Sequence, residues 1–289
     1  MKVDFFIVGA AKSGTTSLYN YLFKHPEVCM SSIKEPNFFS NKLLNEQKMY
    51  YKDVKIDSIE KYHNLFDKHT NNKICGEASV SYLFYEKIAK QIKKYNKNAK
   101  IIIMLRNPIE RAFSHYLMDL RLGFVNESFD SIIYRNSKNK NQCLHYQQYI
   151  KVGNYSSQVL KYLDSFGKDN ILIINYDDFV KSPSLEFKKT CKFLQISKQF
   201  NLDFDKKYNV GKLAKNKTIA YLYSVYHLRR FVNLFFSDKL KLYFKRSLFH
   251  ENTNMSMSLK TRQYLYDYYL NDIKKLNLIT SNKFAKWIR

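Results

Sequence analysis

The sequence predicts an α/β fold in which a central parallel sheet is flanked by helices, with a helical C-terminal extension. Apolar runs near residues 2–8, 73–75, 100–105 and 170–176 have the length and character of buried strands. Helix-like stretches separate them, an alternation typical of a parallel sheet that is covered on both faces. With 45% hydrophobic and 16% aromatic residues, the 289-residue chain is not a disordered protein, and one domain over residues 1–289 is the simplest organisation.

The first strand leads into a loop with the features of an anion-binding site. Residues 5–8 read Phe-Phe-Ile-Val, residues 9–17 read Gly-Ala-Ala-Lys-Ser-Gly-Thr-Thr-Ser, and residues 18–24 are helix-like. A strand, a glycine-bearing loop and a helix N terminus present backbone N–H groups and partial positive charge to a phosphate-like anion. The residues predicted to hold this anion are Lys12, Ser13, Gly14, Thr15, Thr16 and Ser17.

This loop differs from the phosphate loop of ATP-binding proteins, which is G-x-x-x-x-G-K-[ST]. Gly9 and Gly14 keep the glycine spacing, but Thr15 follows the second glycine and the lysine stands at position 12. The chain has only seven glycines, so two within six residues indicate a requirement of the backbone. The alternative interpretation is a tight strand-to-helix turn with ordinary capping residues.

A proline-containing segment, Lys-Glu-Pro-Asn-Phe-Phe, occupies residues 34–39. Pro36 disfavours a helix at the preceding residue, so Glu35 is expected on an extended or turning segment. Glu35 is then either a functional carboxylate or simply the ion-pair partner of Lys34.

The run at 100–105 is followed by a second cluster of polar residues. Asn107 is a suitable helix N-cap, Pro108 fits the first helical position, and Glu110 stands where a capping box has its carboxylate. Arg106 therefore lies at the carboxyl end of a buried strand, the edge at which open α/β sheets bind ligands. The alternative for Arg106 is an ion pair with a surface carboxylate.

Together these motifs resemble those of the sulfotransferases that use 3′-phosphoadenosine 5′-phosphosulfate. Their 5′-phosphosulfate loop, [AP]-K-[SGT]-G-[TS]-[TS], matches residues 11–16, and their arginine followed eight residues later by a serine matches Arg106 and Ser114. The resemblance implies a P-loop-like three-layer fold. It also implies that Arg106 and Ser114 hold the 3′-phosphate and that Lys12 is a catalytic residue at the leaving phosphate.

The Glu35 segment resembles the [KS]-E-P-x-F-F segment of the glycan-type sulfotransferases, such as the heparan sulfate enzymes. The resemblance implies that Glu35 is the general base for an acceptor hydroxyl or amine, a role typically worth about 10²–10⁴-fold in rate. The expected function is in-line transfer of a sulfuryl group to a glycan or glycolipid without a metal; O- versus N-sulfation stays open. A P-loop kinase or NTPase, and a basic module that binds nucleic acid or membrane, are the alternatives.

Two further segments resemble the same family less closely. Residues 76–82, Gly-Glu-Ala-Ser-Val-Ser-Tyr, resemble its G-E-x-[ST]-x-x-Y segment, with Val80 where proline is common. Residues 209–215 stand where related enzymes close a basic loop over the nucleotide, so Lys212 is predicted to bind the donor. A solvated lysine loop is an equally good interpretation of that segment.

Further along the chain, residues 170–176 predict another buried strand, and Leu259 to Leu276 predict a helix that packs through one face. Leu265, Tyr269 and Ile273 lie on this apolar face. Trp287 is expected to close the fold against this helix.

The chain is strongly basic, with 49 Lys and Arg against 25 Asp and Glu, a net charge of +24. Residues 206–250 hold eleven basic residues, one acid and many aromatic residues. They predict either an amphipathic region packed on the core or a surface for an anionic acceptor or membrane. Nucleic acid suits the charge equally well but is ranked lower, because no base-reading motif is present.

The four cysteines, Cys29, Cys75, Cys143 and Cys191, have no metal-ligand spacing and are expected to be buried, reduced thiols. No signal peptide precedes the first strand, and no apolar run approaches 18 residues. A cytoplasmic location is therefore expected, with peripheral contact at the inner membrane face through residues 206–250.

Overall fold

The structure is a computed structural model that describes residues 2–51, 56–66, 73–198, 202–204, 213–214, 249–250 and 255–288. Its main sheet consists of β1 (Phe5–Gly9), β2 (Val28–Met30), β3 (Ile74–Ala78), β4 (Lys100–Leu105) and β5 (Ile171–Asn175). All neighbouring strands are parallel, in the order β2-β3-β1-β4-β5. This confirms the predicted central parallel sheet and places β1 in its middle.

Eleven helices are present among the described residues: α1 (Thr15–Phe23), α2 (Asn41–Glu46), α3 (Ile59–His63), α4 (Ile88–Tyr95), α5 (Pro108–Leu122), α6 (Phe129–Ile133), α7 (Gln142–Tyr149), α8 (Tyr155–Phe166), α9 (Tyr176–Lys181), α10 (Pro183–Leu194) and α11 (Leu259–Ile279). A separate antiparallel pair joins β6 (Leu213–Ala214) to β7 (Phe249–His250). The predicted helical C-terminal extension is thus present as α11.

Successive residues of the central strands contribute to two different hydrophobic clusters. In β1, Phe6 and Val8 belong to the cluster that includes α4, α5, α8 and α11, whereas Phe5 and Ile7 belong to the one that includes α1, α9 and α10. All four side chains are fully buried. Helices therefore cover both faces of the sheet, which gives three layers and explains why the strand sequences are apolar without alternation.

Helix α11 packs against α8 through the predicted face, and Leu265, Tyr269 and Ile273 are fully buried. Its Asp272 accepts hydrogen bonds from Tyr155 N at 2.7 Å and from Ser156 N at 3.2 Å. These are first-turn N–H groups of α8, so a carboxylate from a distant helix caps it.

Trp287 is also buried, as predicted, with its ring 4.3 Å from that of Phe284 and 6.3 Å from that of Tyr155.

One strand was missed, and two local expectations were wrong. Strand β2 was not predicted, because three residues carry too little pattern. The Glu110 carboxylate accepts from Arg262 Nη1 of α11 at 2.6 Å rather than from its own helix N terminus, although Asn107 does cap α5 by accepting from Ile109 N at 3.0 Å. Cys143 is exposed, whereas the other three cysteines are buried free thiols.

Candidate active site

A cleft of about 1000 Å³ opens at the carboxyl edge of the sheet and is lined by residues that follow each of its five strands. Since β1 is central, its loop lies in the middle of the cleft. Arg106 and Tyr176 follow β4 and β5 and define the β4–β5 side of the cleft. Glu35 and Ser81 follow β2 and β3 and define the β2–β3 side. The strand order therefore divides the cleft into two halves around the β1 loop.

The β1 loop turns sharply into α1, and Gly14 has φ 88° and ψ 3°. A Cβ atom at Gly14 would lie 3.1 Å from the ring of Tyr176, so both the backbone conformation and the space favour glycine. The residues of this turn that line the cleft are Lys12, Gly14, Thr15, Thr16 and Ser17. The N terminus of α1, with its partial positive charge, thus lies at the cleft.

The Lys12 side chain lines the cleft and is half-buried, with Nζ 3.4 Å from Met118 Sδ. Burial, together with repulsion from Arg121 and Arg106, lowers the pKa of Lys12 from its usual 10.5 to about 8. Asp119 and Glu35 act in the opposite direction. Among the described residues Lys12 forms no ion pair, so an anion in the cleft would stabilise a charge that Asp119 and Glu35 compensate only in part.

Arg106 lies across from Lys12 on the β4–β5 side. Its guanidinium stacks over the ring of Tyr176 at 4.8 Å, and its Nη1 donates to the Lys12 carbonyl oxygen at 3.4 Å. Ser114, on α5, lines the same cleft. The two motifs therefore meet at one cleft. Among the described residues, Arg106 packs on an aromatic ring and pairs with no carboxylate.

Glu35 borders the cleft on the opposite, β2–β3 side. Its φ of 63° is left-handed, and its backbone N–H donates to Ala78 O at 2.8 Å. The Lys34 ammonium donates to Glu35 Oε1, and both side chains line the cleft. The ion-pair interpretation of Glu35 is thus confirmed, but the pair lies inside the cleft, and no described residue is bonded to Oε2.

A hydrogen-bonded turn supports Glu35. Asn37, with φ 52°, donates from Nδ2 to the Glu35 carbonyl oxygen at 3.0 Å. The Asn37 N–H donates to Ser79 Oγ at 3.0 Å, and Ser81 Oγ donates to Asn37 Oδ1 at 2.7 Å. Residues that follow β3 thereby fix the segment that follows β2.

Behind this turn, Glu77 is fully buried in β3. Tyr62 Oη and Ser79 Oγ each donate to its carboxylate at 2.9 Å, and burial raises the pKa of Glu77 to about 7. The hydroxyl of Ser79 therefore links a buried carboxyl to the turn that carries Glu35.

A second buried carboxyl, Asp119 of α5, lies beneath the cleft. Its oxygens accept hydrogen bonds from Tyr50 at 2.6 Å, Tyr51 at 2.7 Å and Tyr149 at 2.8 Å. Burial raises the pKa of Asp119 to about 6, although these hydrogen bonds favour its charged form. Tyr51 Oη is also 2.6 Å from His115 Nε2, and burial holds the pKa of His115 well below its usual value.

Sequence reasoning missed this Asp119 network, although a signal was present. Arg111, His115 and Asp119 are spaced four residues apart on α5 and therefore share one helical face. All three are buried, and Arg111 Nη1 is 3.3 Å from His115 Nδ1. A polar stripe on the inner face of a helix could have indicated a buried network. Tyr176 was also missed, because no motif marks it.

One residue predicted to bind the donor, Ser13, is not among those that line the cleft. The Ser13 side chain is fully buried, although Ser13 belongs to the β1 loop. Lys212 lies outside the described residues, as does most of the segment 206–250.

Within the described part of the chain, no three His, Cys, Asp or Glu side chains are grouped so that they could hold a metal ion. Nor does that part contain a helix with the length and apolar character needed to cross a bilayer.

Comparison with known families gives a match over most of the chain. A family model described as a sulfotransferase domain matches residues 2–222. The crystal structure of a sulfotransferase from Alicyclobacillus acidocaldarius superposes with a TM-score of 0.72 at 27% sequence identity, and all of both chains is covered. This likeness includes the C-terminal part that the family model does not cover.

Curated relatives are similar over about two thirds of this chain. Carbohydrate sulfotransferase 15 from Homo sapiens is 28% identical over 66% of the chain and 43% of the relative. Heparan sulfate glucosamine 3-O-sulfotransferase 3B1 from Mus musculus is 26% identical over 66% of the chain and 46% of the relative. The matched region is thus less than half of each of these relatives.

Proposed function

The chain belongs to the sulfotransferase domain family, and on this premise we propose that it transfers a sulfuryl group from 3′-phosphoadenosine 5′-phosphosulfate to a hydroxyl or amine of a carbohydrate. The observation that carries the proposal is the meeting of Lys12, Arg106 and Glu35 at one cleft. A carbohydrate acceptor is supported by the names of the relatives, which include carbohydrate and heparan sulfate sulfotransferases.

In this proposal the donor binds across the middle and the β4–β5 side of the cleft. Arg106 and Ser114 hold the 3′-phosphate, while the α1 N terminus and the hydroxyls of Thr15, Thr16 and Ser17 orient the 5′-phosphosulfate. Charge-assisted hydrogen bonds of this kind each contribute on the order of 1.5–3 kcal/mol. The Tyr176 ring packs against the Arg106 guanidinium and so limits the orientations that it can adopt.

Glu35 acts from the opposite side. It takes the proton of the acceptor hydroxyl or amine while the acceptor atom forms a bond to sulfur. The bond between sulfur and the bridging phosphate oxygen breaks, and its electron pair stays on that oxygen. Lys12 stabilises the negative charge that develops there, because a cation in a buried site interacts more strongly than one in water. The strand order suits this in-line arrangement, since the base and the 3′-phosphate site lie in opposite halves of the cleft.

Calorimetry with 3′-phosphoadenosine 5′-phosphate and with ADP tests the donor assignment. We expect metal-independent binding that favours the 3′-phosphorylated nucleotide at least tenfold, a preference that Arg106→Ala removes. Equal affinity for the two nucleotides, or a requirement for magnesium, would favour the P-loop kinase alternative instead.

A second experiment, on a Glu35 variant, distinguishes an enzyme from a protein that only binds the nucleotide. In Glu35→Gln we expect unchanged binding of 3′-phosphoadenosine 5′-phosphate and a loss of about 10²–10⁴-fold in sulfate transfer from radiolabelled donor. The exposed Glu46→Gln is the matched control and should retain transfer. If Glu35→Gln retains sulfate transfer, Glu35 is not the general base.

The remaining expectations concern the whole protein. A single domain over residues 1–289, a cytoplasmic location and peripheral membrane contact through residues 206–250 stay predictions. The choice between O- and N-sulfation also stays open.

A further inference from the structure

Glu77 is a buried carboxyl group to which the proposed reaction gives no direct part. It lies in β3 beside the equally buried Phe6 of β1. The ionisable side chains around it come from α3, the turn after β3, α4 and α8, and among the described residues they are the tyrosines Tyr62, Tyr82, Tyr95 and Tyr162. No described cation offsets its charge. A carboxylate in such surroundings is costly, so packing alone does not explain this side chain.

Two hydroxyl groups donate to the Glu77 carboxylate, one at each oxygen. Tyr62 Oη donates to Oε1 at 2.9 Å, and Ser79 Oγ donates to Oε2 at 2.9 Å. Because a hydroxyl has a single proton, the Ser79 oxygen then faces its other neighbour only as an acceptor. That neighbour is the backbone N–H of Asn37, which donates to it at 3.0 Å. The carboxylate of Glu77 therefore determines how the Ser79 hydroxyl is turned.

Asn37 connects the Glu35 segment to the residues that follow β3. It is buried, its φ of 52° is left-handed, and its Nδ2 donates to the Glu35 carbonyl oxygen at 3.0 Å. Glu35 is also left-handed, with φ 63°. Residues other than glycine keep such conformations only where surrounding contacts impose them. The hydrogen bond between Asn37 and Ser79 is therefore one of the contacts that hold Glu35 at the cleft.

Protonation of Glu77 would reverse part of this arrangement. A neutral carboxyl group has a proton of its own to donate, and the nearest hydroxyl oxygens, those of Tyr62 and Ser79, both donate to it at present. One of these hydroxyls must then turn away. Burial raises the pKa of Glu77 to about 7, so the change falls close to neutral pH.

We propose that the Glu77 carboxylate is a positioning residue for sulfate transfer, because it orients the Ser79 hydroxyl that holds the Glu35 turn. The inference rests on the proposed function and adds a condition to it, namely that Glu77 is ionised while the general base acts. When the carboxylate takes up a proton, the turn loosens and kcat falls.

Hydrogen exchange of the Asn37 amide, followed by NMR on protein labelled with ¹⁵N-asparagine, tests the turn without any acceptor. After correction for the intrinsic rate, we expect exchange to be about tenfold slower at about pH 8 than at about pH 6, with the midpoint at about pH 7. In Glu77→Gln the side chain has only one oxygen and cannot accept from both hydroxyls, so exchange should be fast throughout and the midpoint lost.

Tyr62→Phe tests the same group with the carboxyl in place. The hydrogen bond from Tyr62 favours the charged form of Glu77, so its loss should move the midpoint to higher pH. Tyr116→Phe is the matched control, because it also removes a buried tyrosine hydroxyl, but one that donates to Glu127 O at 2.9 Å. The control should keep the wild-type midpoint. A midpoint that persists in Glu77→Gln, or that does not move in Tyr62→Phe, would overturn the inference.

Sulfate transfer from radiolabelled donor to a heparosan tetrasaccharide measures the consequence for kcat. At about pH 8, Glu77→Gln should lower kcat about tenfold and keep the affinity for 3′-phosphoadenosine 5′-phosphate. Equal losses in kcat and in this affinity would contradict a positioning role. If calorimetry on the wild type shows no preference for the 3′-phosphate, the proposed function itself has failed, whereas the Asn37 midpoints still decide whether Glu77 controls the turn.

Discussion

Lys12 keeps a positive charge in surroundings that mostly oppose it. Burial and the guanidinium groups of Arg121 and Arg106 depress the pKa of Lys12 to about 8, while Asp119 only partly compensates. A side chain in this condition gains more from an anionic ligand than an exposed lysine does, because the ligand replaces lost solvation. The cost of the buried charge is thus offset when the donor binds.

We expect the affinity for 3′-phosphoadenosine 5′-phosphate to fall as the pH rises through about 8. Below that value Lys12 is protonated and attracts the phosphate; above it the side chain is neutral, so affinity falls by up to about tenfold per pH unit. Calorimetry between about pH 6.5 and 9.5 should show this step in the wild type and in Lys24→Met, an exposed control, but not in Lys12→Met. An identical pH profile in Lys12→Met would show that another group titrates.

Among individual residues, Lys12, Arg106 and Glu35 were identified from the sequence because each belongs to a short local motif. Tyr176 and the Asp119 network have no such motif, since their roles come from contacts between distant segments. Ser13 shows the opposite limit: it belongs to the motif, yet its side chain faces the interior.

The turn after β2 and the loop after β1 share an unusual backbone conformation. Both hold non-glycine residues in the left-handed region, Lys12 in one and Glu35 and Asn37 in the other. Such conformations persist only where surrounding contacts impose them. For the second turn those contacts come from Ser79 and Ser81, at the end of the neighbouring strand.

We therefore expect Ser79→Ala to lower kcat for sulfate transfer about tenfold, since a loosened turn misplaces the Glu35 carboxylate. Affinity for 3′-phosphoadenosine 5′-phosphate should not change, because this turn follows β2 whereas Arg106 follows β4 on the other side of the cleft. Ser32→Ala, at an exposed position in the same connection, is the matched control. Equal losses in kcat and donor affinity would instead indicate a general loss of stability.

The elements differ in how far the sequence predicted them. β4 matches its predicted bounds, because five consecutive apolar residues between polar flanks leave little ambiguity. β2 was missed, because its three residues become a strand only through pairing with β3. The capping role of Glu110 failed for a related reason: Arg262, 152 residues away, competes for its carboxylate.

For the molecule as a whole, the C-terminal helix α11 is part of the framework that holds the site. Its Asp272 caps α8, and Tyr155 at the start of α8 donates from Oη to the Arg106 carbonyl oxygen at 3.1 Å. Since the family model ends at residue 222, this support comes from outside the matched region. The packing of α11 was predicted from its apolar face, but its capping of α8 was not.

Asp272→Ala should lower the free energy of unfolding by about 1–2 kcal/mol, the usual effect of a lost helix cap. Asp267→Ala, an exposed carboxylate five residues earlier on α11, should change it by less than about 0.5 kcal/mol. Urea denaturation of both variants measures the difference. If the two variants lose the same amount, Asp272 contributes only as a surface charge.

Composition and alternation of elements were sufficient to predict a parallel sheet between two helical layers. The strand order was not predictable in the same way, because it depends on how each connection crosses the sheet. The strand order separates the two halves of the cleft. The positions of Glu35 and Arg106 on opposite sides of the β1 loop therefore became known only with the structure.

The Asp272 cap also has a consequence for synthesis on the ribosome. Asp272 follows Tyr155 by 117 residues, so a growing polypeptide makes α8 long before the carboxylate that completes its first turn. Until then, the segment beside Arg106 lacks its final support. The β4–β5 side of the cleft is thus completed only after the C-terminal helix has been synthesised.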